Sequence, residues 1–136
     1  MIKTKIKKII KTRLFKYVIV SGSGIFVNYF FLFSLNEILK IYYLWAAAVA
    51  IEISIISNFI FNNLWTFKDR KNKESAFLKF LRFNLICFFG LLINVSILRT
   101  LKEGLGFNLY IAEFFGILGA FIFNFYLSNV WAWRKK

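Results

Sequence analysis

Proline and histidine are absent from the 136 residues, and cysteine and methionine occur once each. Without histidine the commonest general base and metal ligand is missing. Cys87 alone excludes an internal disulfide and any metal site built on cysteines, and without proline no helix contains a proline kink. Acids are scarce: 6 Asp+Glu face 19 Lys+Arg, a formal charge of +13. What is abundant is apolar, with 60% hydrophobic and 21% aromatic residues. A soluble domain of this length cannot hide that much apolar surface, because small folds leave a large share of it in water. Disorder is excluded as well, since disordered chains of high charge are poor in aromatics. The basic residues sit in blocks between apolar runs, the pattern of an integral membrane protein and not of a nucleic-acid binder. No nucleic acid, cofactor or metal is expected.

About 20 apolar residues cross roughly 30 Å of hydrocarbon as a helix. Four stretches qualify: Tyr17 to Leu35, Tyr43 to Thr66, Phe83 to Leu98 and Leu109 to Trp133. The third is the shortest and is bounded by Arg82 and Arg99, whose long side chains can snorkel to the interfaces. Lys3, Lys5, Lys7, Lys8, Lys11, Arg13 and Lys16 precede the first span. Lys68, Arg70, Lys71, Lys73, Lys79 and Arg82 separate the second from the third, and Arg134, Lys135 and Lys136 follow the fourth. The other two loops hold only Lys40, Arg99 and Lys102. The positive-inside bias then places both termini and the central loop in the cytoplasm, in a multi-pass protein of the plasma (inner) membrane. Tyr42, Tyr43, Trp45, Trp65, Tyr110, Trp131 and Trp133 fall where interfacial aromatic belts are expected.

Residues 1–16 space Ile2, Ile6, Ile9 and Ile10 at helical intervals among lysines. The segment reads as an amphipathic helix along the inner leaflet or as a frayed basic tail that sets topology. A cleaved signal peptide fits poorly, because the following apolar run is long and no A-x-A-like site closes it.

Sliding the sequence by 66 residues superposes its halves without a gap. Gly24 meets Gly90, Asn28 meets Asn94, Asn58 meets Asn124, Phe59 meets Phe125, Asn63 meets Asn129 and Trp65 meets Trp131; Lys16 meets Arg82 and Lys68 meets Arg134. Each half is a two-span hairpin, and two spans return the chain to its starting side, so the copies share one orientation. The expected fold is all-α, a four-helix membrane bundle of two tandem hairpins. It divides into a basic segment 1–16, a first hairpin 17–67, a basic loop 68–82 and a second hairpin 83–136.

The matched polar residues are the informative ones, since a bilayer favours Leu, Ile and Phe anywhere in a span. Ser21, Gly24 and Asn28 share one helical face, repeated as Cys87, Gly90 and Asn94; Asn58, Asn62 and Trp65 share another, repeated as Asn124, Ser128 and Trp131. The glycines read first as close-packing positions, and the asparagines either as interhelical glue or as a polar pathway. Two carboxylates lie inside spans. Glu52 falls near the midplane, as an ion-coupling candidate or a protonated acid bonded to a neighbour, and Glu113 nearer the outer interface. They do not superpose in the repeat, which argues against a symmetric pair.

No phosphate loop, nucleophile triad or metal spacing is present, and the central loop is too short to fold alone. The chain is expected not to be an enzyme. KYVIVSGSGIFVN in the first span, NFIFNNLWTFK closing the second and NFYLSNVWAWR closing the fourth resemble the signature of the GtrA-like family. These are small four-span proteins that also occur fused to polyprenol-phosphate mannosyltransferases. The resemblance covers about Leu14 to Arg134; Ser21 departs from a common Gly, and Asn63 and Asn129 from a frequent basic residue.

That resemblance implies translocation of polyprenyl-phosphate-linked sugars for cell-surface polysaccharide or glycoconjugate synthesis, or support of the glycosyltransferase that makes them. Its motif positions here are Lys16, Gly24 and Asn28, then Asn58, Phe59, Trp65 and Phe67, then Asn124, Phe125 and Trp131. The expected phosphate contacts are Lys16, Lys68, Arg82 and Arg134, with topology setting as their alternative role. Asn28, Asn58, Asn62, Asn94 and Asn124 are the expected sugar contacts. Partners follow from this: membrane lipid, the polyprenyl-phosphate sugar, a membrane glycosyltransferase, and a parallel homodimer if the chain pairs with itself. A non-transport adaptor for that glycosyltransferase is the alternative, and a proton-coupled cation exporter using Glu52 a weaker one.

Overall fold

A computed structural model describes residues 1–70 and 74–134, leaving aside the side chains at positions 43, 44 and 110. Lys71, Lys73, Lys135 and Lys136 of the basic blocks, and the belt side chains of Tyr43 and Tyr110, lie outside the described residues. The described residues are all-helical: α1 spans Ile2–Phe33, α2 Tyr43–Phe61, α3 Ala76–Arg99 and α4 Leu109–Leu127. In hydrocarbon each backbone N–H and C=O must be satisfied within the segment, which a helix does. Ile2–Ile38, Trp45–Thr66, Ala76–Gly104 and Ile111–Ala132 are long and apolar enough to cross a membrane. The protein is therefore a multi-pass membrane protein.

Two helices begin earlier than their apolar runs. The basic segment is helical from Ile2 and continuous with the first span; no Gly interrupts it before Gly22, and Lys, Ile, Leu and Arg are all tolerated in a helix. It is thus neither a frayed tail nor a separate helix. The third helix starts at Ala76, seven residues before Phe83, where Ser75 caps it by accepting a hydrogen bond from the Leu78 N–H at 3.2 Å.

Each helix ends in one π turn: Ser34–Ile38, Asn62–Thr66, Thr100–Gly104 and Ser128–Ala132. The closing bonds run i+5 to i, as from Phe67 N–H to Asn62 O at 2.8 Å and from Trp133 N–H to Ser128 O at 2.9 Å. Wide turns of this kind are rare and are often found at functional sites. The loops between paired helices reverse through one left-handed residue each, Lys40 (φ 57°) and Gly106 (φ 72°). Only glycine takes that conformation without a Cβ penalty of about 1–2 kcal/mol. Lys40→Gly is accordingly expected to stabilise the first hairpin by up to about 1 kcal/mol, part of the relief being offset by glycine's larger unfolded entropy. Unfolding in mixed micelles measures this, and a net loss would show that the Lys40 side chain holds the turn.

The chain divides into two compact units, Met1–Lys71 and Asn72–Lys136. In the first, α1 packs on α2; in the second, α3 packs on α4. Small residues on the packed face let the helix backbones approach closely. Gly24, Ala46 and Ala50 are buried in the first hairpin, and Gly90, Ala112 and Gly116 in the second. At the basic end of each, one aromatic pair closes the hairpin edge to face. Tyr17 meets Phe67 at 6.4 Å between ring centres, and Phe83 meets Trp133 at 5.4 Å.

Candidate functional site

In the first hairpin the absence of a side chain at Gly24 lets the Asn58 amide lie against the α1 backbone. A Cβ at Gly24 would stand 2.7 Å from Asn58 Nδ2 and closer still to Oδ1. Beside it, the Ser54 hydroxyl donates to the Gly24 carbonyl at 2.8 Å. Towards the basic end, the Thr66 hydroxyl donates to Asn62 Oδ1 at 2.7 Å. Ser54, Asn58, Asn62 and Thr66 recur every four residues and share one face of α2 and its π turn. They form a polar track about 18 Å long at 1.5 Å per residue.

Along the track Asn58 Oδ1 and Asn62 Nδ2 are buried without a hydrogen-bond partner, as is Asn28 Oδ1 on α1. Leaving such a group unsatisfied costs about 1–3 kcal/mol. Donor and acceptor capacity is thus left open inside the hairpin.

The second hairpin has the same contact with fewer polar groups. Asn124 lies against Gly90, where a Cβ would come within 2.8 Å of Asn124 Cγ. Asn94 crosses at Gly116, its backbone oxygen and Oδ1 each 2.9 Å from where a Cβ would stand. The positions corresponding to the track are Ala120, Asn124, Ser128 and Ala132. Asn124 Oδ1 and Ser128 Oγ are buried without a partner.

At the basic end of the first hairpin is a hollow of about 280 Å³ lined by Lys8, Arg13, Lys16, Lys68, Asp69 and Thr66, among others. Thr66, the last residue of the track, also lines the hollow. The Lys16 ammonium stands 5.4 Å from the Trp65 ring centre, a cation–π contact that fixes its position. Arg13 is buried and pairs with Asp69. Among the described residues Lys8, Lys16 and Lys68 have no carboxylate partner.

Burial alone would raise the Asp69 carboxyl, but the hydrogen bond and charge of Arg13 outweigh it and hold the group below the usual carboxylate range. A depressed folded pKa stabilises above the unfolded value, about 3.9, and that stability is lost as pH falls through the folded value. Stability conferred by this pair is thus expected to be constant from pH 8 to 5 and to decline only below about pH 4. Asp69→Asn should abolish this acid-dependent component, as amide exchange at residues 66–70 would show; an unchanged acid response would place it elsewhere.

Arg82 and Arg134 are arranged differently. Both bind the carboxylate of Glu74, a side chain only 6% exposed. Arg134 Nη2 and Nε lie 2.7 and 3.1 Å from Oε1, and Arg82 Nη2 lies 3.3 Å from it, while Arg82 Nη1 pairs with Oε2.

The structure thus places Lys16 and Lys68 on one hollow, Asn58 and Asn62 on the track that ends at Thr66 beside it, and Arg82 and Arg134 on one carboxylate. Asn94 and Asn124 lie in the helix contact of the second hairpin. Trp65 shares a turn with Asn62 but is half-exposed under Lys16, and Glu52 is exposed on α2, away from the track face. Ser54, Thr66, Lys8 and Glu74 were absent from the sequence-based set. The four-residue spacing from Ser54 to Thr66 is a signal that finds the first two; nothing local marks the others.

The family model described as GtrA/DPMS, transmembrane domain, matches residues 16–133. A dolichol-phosphate mannosyltransferase of Pyrococcus furiosus is 35% identical over 121 residues, which is 89% of this chain and 34% of that protein. The chain therefore spans about a third of the length of that curated relative.

Proposed function

Because this chain belongs to the GtrA/DPMS transmembrane-domain family, we propose that it translocates a polyprenyl-phosphate-linked sugar across the membrane, alone or as a subunit of such a system. The observation that supports this reading is that Thr66 both lines a cation-rich hollow and ends the polar track inside the first hairpin. Lys8, Lys16 and Lys68 supply charge-assisted contacts for the phosphate. The sugar hydroxyls, each donor and acceptor, match the buried Asn58 Oδ1 and Asn62 Nδ2, and the prenyl chain stays in lipid beside the hairpin.

The basic ends face the cytoplasm of a plasma membrane on this reading, so the phosphate is taken up where anionic lipid precursors meet positive charge. The residues act by binding and passage, with no covalent chemistry. A second copy in the same orientation would widen the pathway.

Vesicles carrying the protein and a labelled polyprenyl-phosphate hexose test this. Transbilayer movement is expected to exceed that of protein-free vesicles and to fall at least tenfold with Asn58→Ala or Thr66→Val. Movement equal to empty vesicles rules out an autonomous flippase, and loss on Glu52→Gln alone favours the coupled exporter.

A second reading, an adaptor for a separate glycosyltransferase, is favoured by the relative's architecture: two thirds of that mannosyltransferase lies outside the matching region. Co-purification of a glycosyltransferase supports it, and an enzyme fully active and membrane-bound in cells lacking this protein contradicts it.

A further inference from the structure

The cation pairs Lys16/Lys68 and Arg82/Arg134 occupy corresponding positions 66 residues apart, yet among the described residues only the second pair holds a carboxylate. That carboxylate is the protein's own Glu74. The position corresponding to Glu74 in the first hairpin is Lys8, which lines the hollow together with Lys16 and Lys68. One repeat therefore supplies a carboxylate where the other supplies a third cation.

We propose that Glu74 is an internal ligand that fills the anion site of the second hairpin, leaving the first hairpin as the one phosphate-binding site of the chain. The carboxylate shows the chemistry of such a site. It is a planar oxyanion held by two guanidinium groups through several hydrogen bonds, the arrangement that also recognises phosphate. Its side chain is almost fully buried, so an incoming phosphate would have to displace it.

The polar track agrees with this division. Ser54, Asn62 and Thr66 of the first hairpin correspond to Ala120, Ser128 and Ala132 of the second. Sequence duplication has thus left one copy equipped for a phosphate and its hydroxylated cargo, and the other with a closed anion site and a shorter track.

The proposal rests on the reading of the first hairpin's hollow as a phosphate site, and the test separates the two. Binding of farnesyl phosphate to the detergent-solubilised protein is counted by native mass spectrometry and by calorimetry. The wild type is expected to bind one equivalent per chain, and Glu74→Gln two. Asp69 of the hollow is already paired with Arg13, and Lys8→Glu, which puts a carboxylate at the position corresponding to Glu74, beside Lys16 and Lys68, is expected to weaken the single site at least tenfold.

Two equivalents on the wild type, or one on both wild type and Glu74→Gln, overturns the internal-ligand proposal while leaving the phosphate reading intact. No binding to the wild type overturns the phosphate reading and this proposal with it. Circular dichroism checks that Glu74→Gln keeps its helices. If that variant unfolds, Lys8→Glu still decides, because full wild-type binding by Lys8→Glu contradicts the proposal.

Discussion

Reversing both cations of the first hairpin, Lys16→Glu with Lys68→Glu, is expected to lower the affinity for farnesyl phosphate at least 100-fold. A hydrogen bond to a charged group contributes about 1.5–3 kcal/mol. Losing two such contacts removes about 3–6 kcal/mol, and each 1.4 kcal/mol is a factor of ten. The two introduced carboxylates add repulsion, so the estimate is a lower bound. Part of the change at Lys16 is the lost contact with Trp65, worth about 0.5–1 kcal/mol at an exposed site, too little to account for the whole effect. Lys11→Glu is the control: it changes net charge on the same helix but does not line the hollow. A comparable loss in that variant would mean that the protein's overall field, and not the hollow, attracts the lipid. Because the contacts are electrostatic, wild-type affinity should also fall with salt, and the double variant's should barely respond.

Gly116→Ala is expected to be the most damaging single-methyl change in the protein, costing about 2–3 kcal/mol, near the top of the usual range for overpacking. The new Cβ would stand 2.9 Å from the backbone carbonyl oxygen of Asn94, and a helix backbone cannot step aside without moving the helix. Gly24→Ala also collides, but with the side-chain amide of Asn58. That group can swing at the cost of its place on the polar track, so this variant should lose transport more than stability. Gly22 has nothing within 4 Å of its Cβ position, and Gly22→Ala is expected to be neutral or slightly stabilising. Unfolding free energies in mixed micelles give the order. Equal losses at all three glycines would show that they matter for backbone freedom and not for helix approach.

The number of helices was legible because lipid imposes length and apolarity on anything that crosses it. The start of α1 at Ile2 was not, because hydropathy marks the edge of the hydrocarbon at Lys16 while the helix continues through lysines. The facing of Gly24 by Asn58 and of Gly90 by Asn124 was within reach of the 66-residue repeat, which picks out residues that both copies keep. That same comparison passes over Ser54, Thr66, Lys8 and Glu74, since at each of these positions the copies differ. Of these differences, Lys8 against Glu74 separates a hollow lined by three lysines from a pair of arginines bound to a carboxylate. The Glu74 clamp was illegible for a further reason: it depends on a loop carboxylate reaching two arginines at sequence separations of 8 and 60.

The most direct test is to find where the phosphate sits. A prenyl phosphate carrying a photoactivatable group next to its phosphate is bound to the protein in vesicles and illuminated, and the adducts are mapped by mass spectrometry. Adducts are expected to concentrate on residues 8–16 and 65–69 of the first hairpin and to be lost in Lys16→Glu with Lys68→Glu. Adducts confined to the second hairpin, or spread over lipid-facing positions and unchanged in that variant, would contradict that placement.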